Sequence, residues 1–388
     1  MEYYDVIIIG GGIAGCGLAY NLKRIGYTGS VLMIEKNEIG FNEKYGTRTM
    51  FEEIINEYNF KPLKTFKGIK IGFDDEPFIT IKTPVYLVEY KRACEQLFKK
   101  SNANYKMECV VDVKGDIIVT ENNSYHSKYI IDCSGTSFFL RKKLKLALPF
   151  RYWVGDVSIL RNNINIESDH IYYNYGDKHG YIEEINISPK YITHGYWQYV
   201  KNIDFSQIKP PEKTFYKKHL VNTQIIKKAK VIIPATPVLP LVYKKIAFFG
   251  DSFGIASSST AYGTGPILDS SKILSIAIKK GDLKYFERVW CKKYFKSYFR
   301  SILSKYDGYH DLDSKFIQKL KKYPSFSKPA KRFFTINKGE DLLKLFKDPT
   351  HQIRMPKEVI KMFPKRKIIF LSIYYIYLKS KYLLMKLK

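Results

Sequence analysis

The opening segment of the chain leaves few folds open to it. Residues 5–9, Asp-Val-Ile-Ile-Ile, are a short apolar run rich in β-branched side chains that stops abruptly at Gly10-Gly11-Gly12-Ile13-Ala14-Gly15, the pattern of a buried strand entering a glycine turn. Residues 14–23 favour helix, Gly26-Tyr27-Thr28-Gly29 predicts a turn, and residues 30–34 form a second apolar strand closed by Glu35. Strand, glycine loop, helix, strand and acid in this order make a dinucleotide-binding unit. Gly10 permits the tight turn, Gly12 lets the backbone approach a pyrophosphate, and Gly15 lets the helix pack on the strand. Free N–H groups at the helix start, Ile13 and Ala14, face the phosphate charge. Glu35 lies 20 residues beyond Gly15, where a carboxylate accepts hydrogen bonds from a ribose diol. The alternative is an apolar strand and glycine turn with no ligand.

A second glycine-rich region lies far downstream and bears on the first. Residues 245–249 predict a buried strand running into Gly250-Asp251-Ser252-Phe253-Gly254, followed by small residues to Gly265 and a helix over 266–279. Gly250-Asp251 at a strand end presents a carboxylate to a sugar-alcohol hydroxyl. Gly263-Thr264-Gly265 opens a helix whose N–H groups can face an anion or a ring carbonyl. Taken together, the first site would hold the adenosine end of FAD and the second its ribitol and isoalloxazine end.

Between them, residues 41–48 read as a loop leading into a short helix over 50–57. Residues 67–82 alternate around Asp74-Asp75-Glu76-Pro77, a hairpin signal. A helix is expected over 90–100, strands over 105–113, 116–121 and 129–133, the last ending in the small-residue turn Ser134-Gly135-Thr136. Residues 150–233 are strand-rich and aromatic, with Tyr152-Trp153, Ile171-Tyr172-Tyr173, Gly180-Tyr181-Ile182 and Gly195-Tyr196-Trp197, and predict an antiparallel sheet forming one wall of a pocket. Aromatics at strand spacing also serve as ordinary core. Residues 282–388 are mostly helical, broken at Tyr323-Pro324, Asp348-Pro349 and Phe363-Pro364.

With 388 residues and 45% hydrophobic side chains, the chain can bury two or three sizeable cores and is not disordered. The net charge of +28 suits an anionic partner, nucleic acid or lipid, or else solvated lysine-rich faces; the lysines are spread along the chain. Five cysteines without a C-x-x-C pair and seven histidines without ligand spacing point to free thiols of an intracellular protein and to no metal site. No signal peptide is read at the amino terminus. Residues 365–388 join lysines to an apolar run about half as long as a spanning helix needs, which suits either a helix lying on an anionic membrane or a terminal helix packed on the body. The expected location is the cytoplasm, with peripheral contact at the inner face of a membrane as an option.

The combination Gly10-x-Gly12-x-x-Gly15 with Glu35, Asp132-Cys133-Ser134-Gly135, and Gly250-Asp251-x-x-Gly254 followed by Thr260-Ala261-Tyr262-Gly263-Thr264-Gly265 resembles a known group. It is similar to FAD-dependent oxidoreductases of the aromatic-hydroxylase type, and among them to the archaeal geranylgeranyl reductases and their relatives, the lycopene cyclases. Gly339-Glu340-Asp341-Leu342-Leu343 also looks reductase-like. Where those reductases carry Y-x-W-x-F-P on the sheet, this chain has Tyr181-Ile182-Glu183-Glu184-Ile185 or Tyr196-Trp197-Gln198-Tyr199.

The resemblance implies an α/β fold. A Rossmann-type FAD-binding domain is expected from residues 1–62, 85–148 and 237–285, an inserted antiparallel-sheet substrate domain from 63–84 and 149–236, and a C-terminal helical domain from 286–388. It implies FAD held by Gly10, Gly12, Ile13, Ala14, Gly15, Glu35, Lys36, Tyr45, Gly46, Val111, Gly135, Gly250, Asp251, Gly263, Thr264 and Gly265. Lys91 or Arg92 looks like the family's flavin-contacting arginine. The implied reaction passes a hydride from reduced FAD to a double bond of an isoprenoid chain, with ferredoxin or NAD(P)H as electron donor. Tyr45 and Tyr262 are the candidates for catalysis. A cyclase-like reaction without net redox change and a flavin monooxygenase are the alternatives. An RNA-binding flavoprotein is motivated by charge alone, so nucleic acid is not the expected partner. From a different class, Gly250-Asp251-Ser252-Phe253-Gly254 also fits G-x-S-x-G, the elbow of serine hydrolases, with Ser252 as nucleophile and His310 or His351 as base.

Overall fold

The computed structural model describes residues 1–41, 46–73, 76–161, 169–177, 180–188, 190–201, 203–207, 224–256 and 261–295. Its nucleus is an eight-stranded sheet. Along its main path run Val242–Tyr243, Ile246–Phe248, Ser124–Asp132, Glu2–Ile9, Val31–Glu35 and Asn104–Met107, with Ile117–Thr120 and Val110–Lys114 attached as an antiparallel extension. The four strands from Ser124–Asp132 to Asn104–Met107 are parallel, as are Ser124–Asp132 and Ile246–Phe248. Val6, Ile7 and Ile8 are fully buried, as are Leu32, Met33, Ile130 and Ile131, which is why these runs are apolar throughout instead of alternating.

Register decides what this sheet can do. Ile9 pairs with Asp132 and with Ile34, and Asp132 pairs with Phe248. The chain therefore leaves the sheet at one level and one edge in four places: Gly10, Glu35, Cys133 and Phe249. That carboxyl edge is where open α/β sheets collect their ligands.

Helix Ile13–Arg24 covers the sheet and packs directly on helix Thr264–Lys279. The approach is close: a Cβ built on Gly17 would stand 2.7 Å from Leu268 Cδ2. A buried polar knot fixes the pair. Asn21 donates to Ser271 Oγ at 2.6 Å and to Tyr58 Oη at 3.2 Å, and the Tyr58 hydroxyl donates to the Leu268 carbonyl at 3.1 Å.

The second layer is a seven-stranded sheet in the order Gln224–Pro234, Tyr152–Arg161, Tyr191–Val200, Gly180–Ser188, His170–Asp177, Gly68–Phe73 and Glu76–Ile81. The hairpin expected over 67–82 forms its edge. This sheet is not wholly antiparallel as expected, because His170–Asp177 lies parallel to Gly68–Phe73. The two strands come from separate insertions, so no tight turn dictates their relative direction.

A third sheet, Thr47–Phe51, Val85–Glu89 and Lys64–Phe66, joins the layers. Here too the reading changes: residues 47–51 are a strand, and the helix starts later, at Glu52–Tyr58. The ladder from Thr47 opposite Glu89 to Phe51 opposite Val85 gives this segment a partner that local propensity cannot foresee. Glu52 and Glu53 then occupy the first helical turn, where acids favour the helix dipole.

Arg141, fully buried, ties the carboxyl edge together. Its guanidinium donates to the carbonyls of Ser252, Ala147, Val238 and Pro240 at 2.8–3.1 Å and stacks on Phe248, 4.2 Å from the ring centroid. Residues 296–388, which hold His310, His351, Gly339-Glu340-Asp341-Leu342-Leu343 and the lysine-flanked terminal segment, lie outside the described residues. Among the described residues no helix is long and apolar enough to cross a membrane.

Candidate active site

The first glycine loop is shaped by contacts that only hydrogen can occupy. Gly10 has φ +115°, and a Cβ there would lie 2.3 Å from the Cys133 carbonyl oxygen; a Cβ on Gly15 would lie 2.0 Å from the Gly10 carbonyl oxygen. The helix Ile13–Arg24 has no side-chain cap of its own, which leaves its first N–H groups without intrahelical acceptors. One of them is met from outside: the Ile13 N–H donates to the Tyr90 hydroxyl at 3.0 Å. Glu35 stands beside the loop and accepts from the Gly11 N–H at 2.8 Å and from the Asn37 N–H at 3.1 Å. Those bonds aim its carboxylate and leave further lone pairs open.

The second loop comes against the first. Gly250 has φ +74°, and a Cβ on it would sit 2.7 Å from the Ala14 Cβ. Gly263 is the N-cap of helix Thr264–Lys279, again with no side-chain cap. A Cβ on Gly265 would be 2.8 Å from the Tyr262 hydroxyl. Burial pushes the Tyr262 phenol above its ordinary range, partly offset by its hydrogen bond with the Gly265 backbone.

Both loops open on one cavity of about 190 Å³. Ile13, Asp251, Gly263 and Thr264 line it from the dinucleotide side. Across it stands the seven-stranded sheet, presenting Ile69, Tyr173, Tyr181, Glu183, Ile185 and Trp197. The alternation of strand Gly180–Ser188 places Tyr181, Glu183 and Ile185 on this one face. The rings brace one another: Tyr173 and Tyr181 meet edge-on at 5.6 Å, Tyr181 and Trp197 stack at 6.4 Å, and Trp153 backs Tyr181 at 5.0 Å.

Three charged residues share the cavity wall. Burial pushes the Asp251 carboxyl up to about 6, against the pull of the Arg48 charge. Burial also raises Glu183, opposed by hydrogen bonds from Tyr173 and Trp197 and by Arg48. The Arg48 guanidinium lies over the Tyr90 ring, 4.7 Å from its centroid.

A dinucleotide fits these residues. No hydrogen bond from a described residue reaches the Asp251 carboxyl, which burial raises to about 6, the condition of an acceptor facing a hydroxyl donor. Gly12 would carry its Cβ 2.8 Å from the Tyr90 hydroxyl, so the space in front of the helix start depends on its bare backbone.

The other sequence-based candidates are placed as follows. Gly46 and Lys36 are exposed, and Gly135, with φ +65°, faces open space. Val111 is 46% exposed on strand Val110–Lys114, away from the cavity lining. Tyr45 lies outside the described residues. Lys91 is a correction: it is exposed and bonded to Glu38, and Arg92 faces Glu89 at 3.7 Å. The cation in the cavity wall is Arg48.

The hydrolase reading is corrected as well. Ser252 is fully buried and its hydroxyl is engaged with the carbonyls of Asp132 at 2.7 Å and Phe249 at 2.9 Å, whereas a nucleophile elbow exposes its oxygen. Among the described residues no cluster of His, Cys, Asp and Glu could hold a metal. All five cysteines are free.

Sequence reasoning passed over Tyr90, Arg48 and Glu183. Tyr90 was hidden behind its basic neighbours, and Arg48 by the loop assignment of its strand. Glu183 had a legible signal, an acid at period two between Tyr181 and Ile185 on an otherwise apolar strand face.

Residues 5–53 match the family model described as FAD dependent oxidoreductase. Among solved structures the chain is similar to a geranylgeranyl bacteriochlorophyll reductase-like protein from Thermoplasma acidophilum, with TM-score 0.68 and 18% identity over 82% of this chain and 91% of that one. It is similar to the flavin-dependent brominase Bmp2, with TM-score 0.68 and 17% identity over 98% and 100% of the two chains. It is also similar to a probable FAD-dependent monooxygenase from Pseudomonas aeruginosa, with TM-score 0.61 and 11% identity over 81% and 97%. The fold is therefore that of the FAD-binding flavoproteins, an α/β Rossmann-type unit with an added sheet, and its cofactor is FAD.

Proposed function

We propose that this chain is an FAD-dependent oxidoreductase that reduces double bonds of an isoprenoid chain, such as the geranylgeranyl or polyprenyl chain of a membrane lipid or quinone. The observation that carries the reading is a single cavity with dinucleotide loops on one side and an apolar aromatic sheet on the other. In this reading the Ala14 N–H at the helix start faces the pyrophosphate, Glu35 accepts from the ribose, Asp251 accepts from a ribityl hydroxyl, and the helix start at Gly263-Thr264-Gly265 faces the ring. Bound FAD, once reduced, supplies the hydride. The chain's own work is to lay the alkene against that ring, hold water out and deliver a proton. The electron donor is a nicotinamide or a ferredoxin, and the net charge of +28 suits approach to an anionic membrane where such chains reside.

The test is direct. The purified protein is loaded with FAD, reduced with dithionite and incubated with geranylgeraniol, and the product is weighed by mass spectrometry. Gain of two hydrogens per double bond is expected; unchanged alcohol after full flavin reduction sinks the reading.

The small, ring-lined cavity with three ionisable groups also supports a flavin monooxygenase acting on a single aromatic ring. That alternative predicts oxygen consumption with a nicotinamide donor and a product heavier by one oxygen atom.

A further inference from the structure

We propose that Glu183 is the acid of this site, giving its carboxyl proton to the alkene carbon that does not receive the hydride, with Tyr173 and Trp197 as its positioning residues. The inference rests on the reductase reading above.

Position comes first. Glu183 is the one carboxyl on the sheet side of the cavity among the described lining residues, and it faces the dinucleotide side where Ile13, Asp251 and Thr264 stand. A substrate lying between the two walls has the hydride donor on one face and Glu183 on the other. Addition of a hydride and a proton to the two carbons of an alkene needs a pair of sources, and an anti addition takes them from opposite faces, as these two walls are disposed.

The carboxyl is also held. The Tyr173 hydroxyl donates to Glu183 Oε1 at 3.0 Å and the Trp197 indole N–H donates to Oε2 at 3.2 Å. Both donors belong to the ring set that lines the cavity, on the flanking strands His170–Asp177 and Tyr191–Val200. This grip does two things. It fixes the orientation of an acid that would otherwise rotate, and it stabilises the carboxylate that remains when the proton has left. Arg48, also in the cavity wall, acts on the same charge.

The remaining lining groups are poorer acids or lie on the wrong wall. A phenol such as Tyr262 is ordinarily about six pKa units weaker than a glutamic acid, and burial raises Tyr262 further. Asp251 is on the cofactor side. Arg48 carries a guanidinium, a group that serves as a donor of hydrogen bonds and not as a general acid. Burial favours the neutral form of Glu183, against the pull of Tyr173, Trp197 and Arg48.

The step balances. The alkene π bond breaks, one carbon gains the hydride from the reduced flavin and the other gains the Glu183 proton. The flavin is oxidised by two electrons, the substrate is reduced by two, and Glu183 is left as a carboxylate that takes a new proton from solvent.

The experiment compares wild type, Glu183→Gln and Glu183→Asp, each loaded with FAD and reduced with dithionite, on geranylgeraniol in detergent micelles. Loss of the general acid is expected to slow hydrogen addition by about 10²–10⁴-fold in Glu183→Gln, with FAD affinity unchanged and partial return in Glu183→Asp. A second readout needs neither cofactor nor substrate: the pH titration of tryptophan fluorescence in the apoprotein, with Trp197→Phe identifying the Trp197 signal. Wild type should show an inflection above the ordinary carboxyl range. Glu183→Gln should lose it, and Tyr173→Phe should move it upward, since a bond to the ionised form is removed. Hydrogen addition by Glu183→Gln at the wild-type rate overturns the inference and leaves the reductase reading standing, as does a Trp197 inflection at or below the ordinary carboxyl value. A wild type that adds no hydrogen, with the Trp197 titration intact, overturns the reductase reading and the alkene as the destination of the proton.

Discussion

Replacing Arg141 by methionine would test how the second dinucleotide loop is held in place. The guanidinium is buried among apolar residues and bonded to four carbonyl oxygens from three separate segments: Ala147, Val238 with Pro240, and Ser252. Hydrogen bonds from a charged donor contribute about 1.5–3 kcal/mol each, so four amount to about 6–12 kcal/mol. Against this stands the cost of burying the charge, which pushes Arg141 down to about 10, equivalent to about 3 kcal/mol. Methionine keeps the volume and the contact with Phe248 but leaves four carbonyls without this donor. Part of the loss is recovered by water and by loop movement, so a net destabilisation of about 3–5 kcal/mol is expected. Urea unfolding of the apoprotein measures it. Because Ser252 adjoins Asp251 and Gly250, FAD affinity, followed by quenching of flavin fluorescence, should fall in the same variant. A midpoint within about 1 kcal/mol of wild type, with unchanged FAD binding, would refute the claim that Arg141 organises this edge.

Gly15→Ala places a Cβ 2.0 Å from a backbone oxygen, whereas Gly12→Ala meets only the Tyr90 hydroxyl at 2.8 Å; thermal melts should show a loss of about 3 kcal/mol or more for the first and about 1 kcal/mol for the second. Asn21→Ala removes the donor that ties Ser271 and Tyr58 together and should cost about 1–3 kcal/mol in the same assay. The Asp251 carboxyl, raised from 3.8 to about 6, favours the fold fully while it is neutral, below its unfolded value, and that contribution is lost as pH rises through about 6. Apo Asp251→Asn should therefore be more stable than wild type above that pH, by up to about 3 kcal/mol, and equal to it in acid; a constant difference across the range would count against a buried, titrating Asp251. Ser252→Ala should retain FAD-dependent turnover, and loss of an esterase activity in that variant would revive the hydrolase reading.

Much of the nucleotide-binding half was legible because its determinants are local. The apolar run at residues 5–9, the glycines after it and the acid at position 35 each act within one strand, one turn or one helix end. Their spacing carries the geometry with it. The hairpin over 67–82 was readable for the same reason, since alternation and a turn cluster are short-range signals. The strand Thr47–Phe51 was not, because it exists by virtue of the Val85–Glu89 ladder, and a segment with no strong preference takes the structure of its partner. The choice of Lys91 failed by one residue. On a helix that step is about 100°, enough to turn a side chain from the cavity to solvent, and Tyr90 took the inner position.

By itself the sequence determined that the fold would be a Rossmann-type α/β unit with FAD as its cofactor, because helix starts, bare backbone and strand-end acids are properties of a few consecutive residues. Only the tertiary structure decided which face of the inserted sheet meets those loops, and so brought Arg48, Glu183 and Asp251, 203 residues apart in sequence from first to last, around one cavity. The reason is physical: the pairing of distant strands and the burial of a charge are set by what packs against them, and the energy of a buried carboxyl depends on neighbours that no local pattern records.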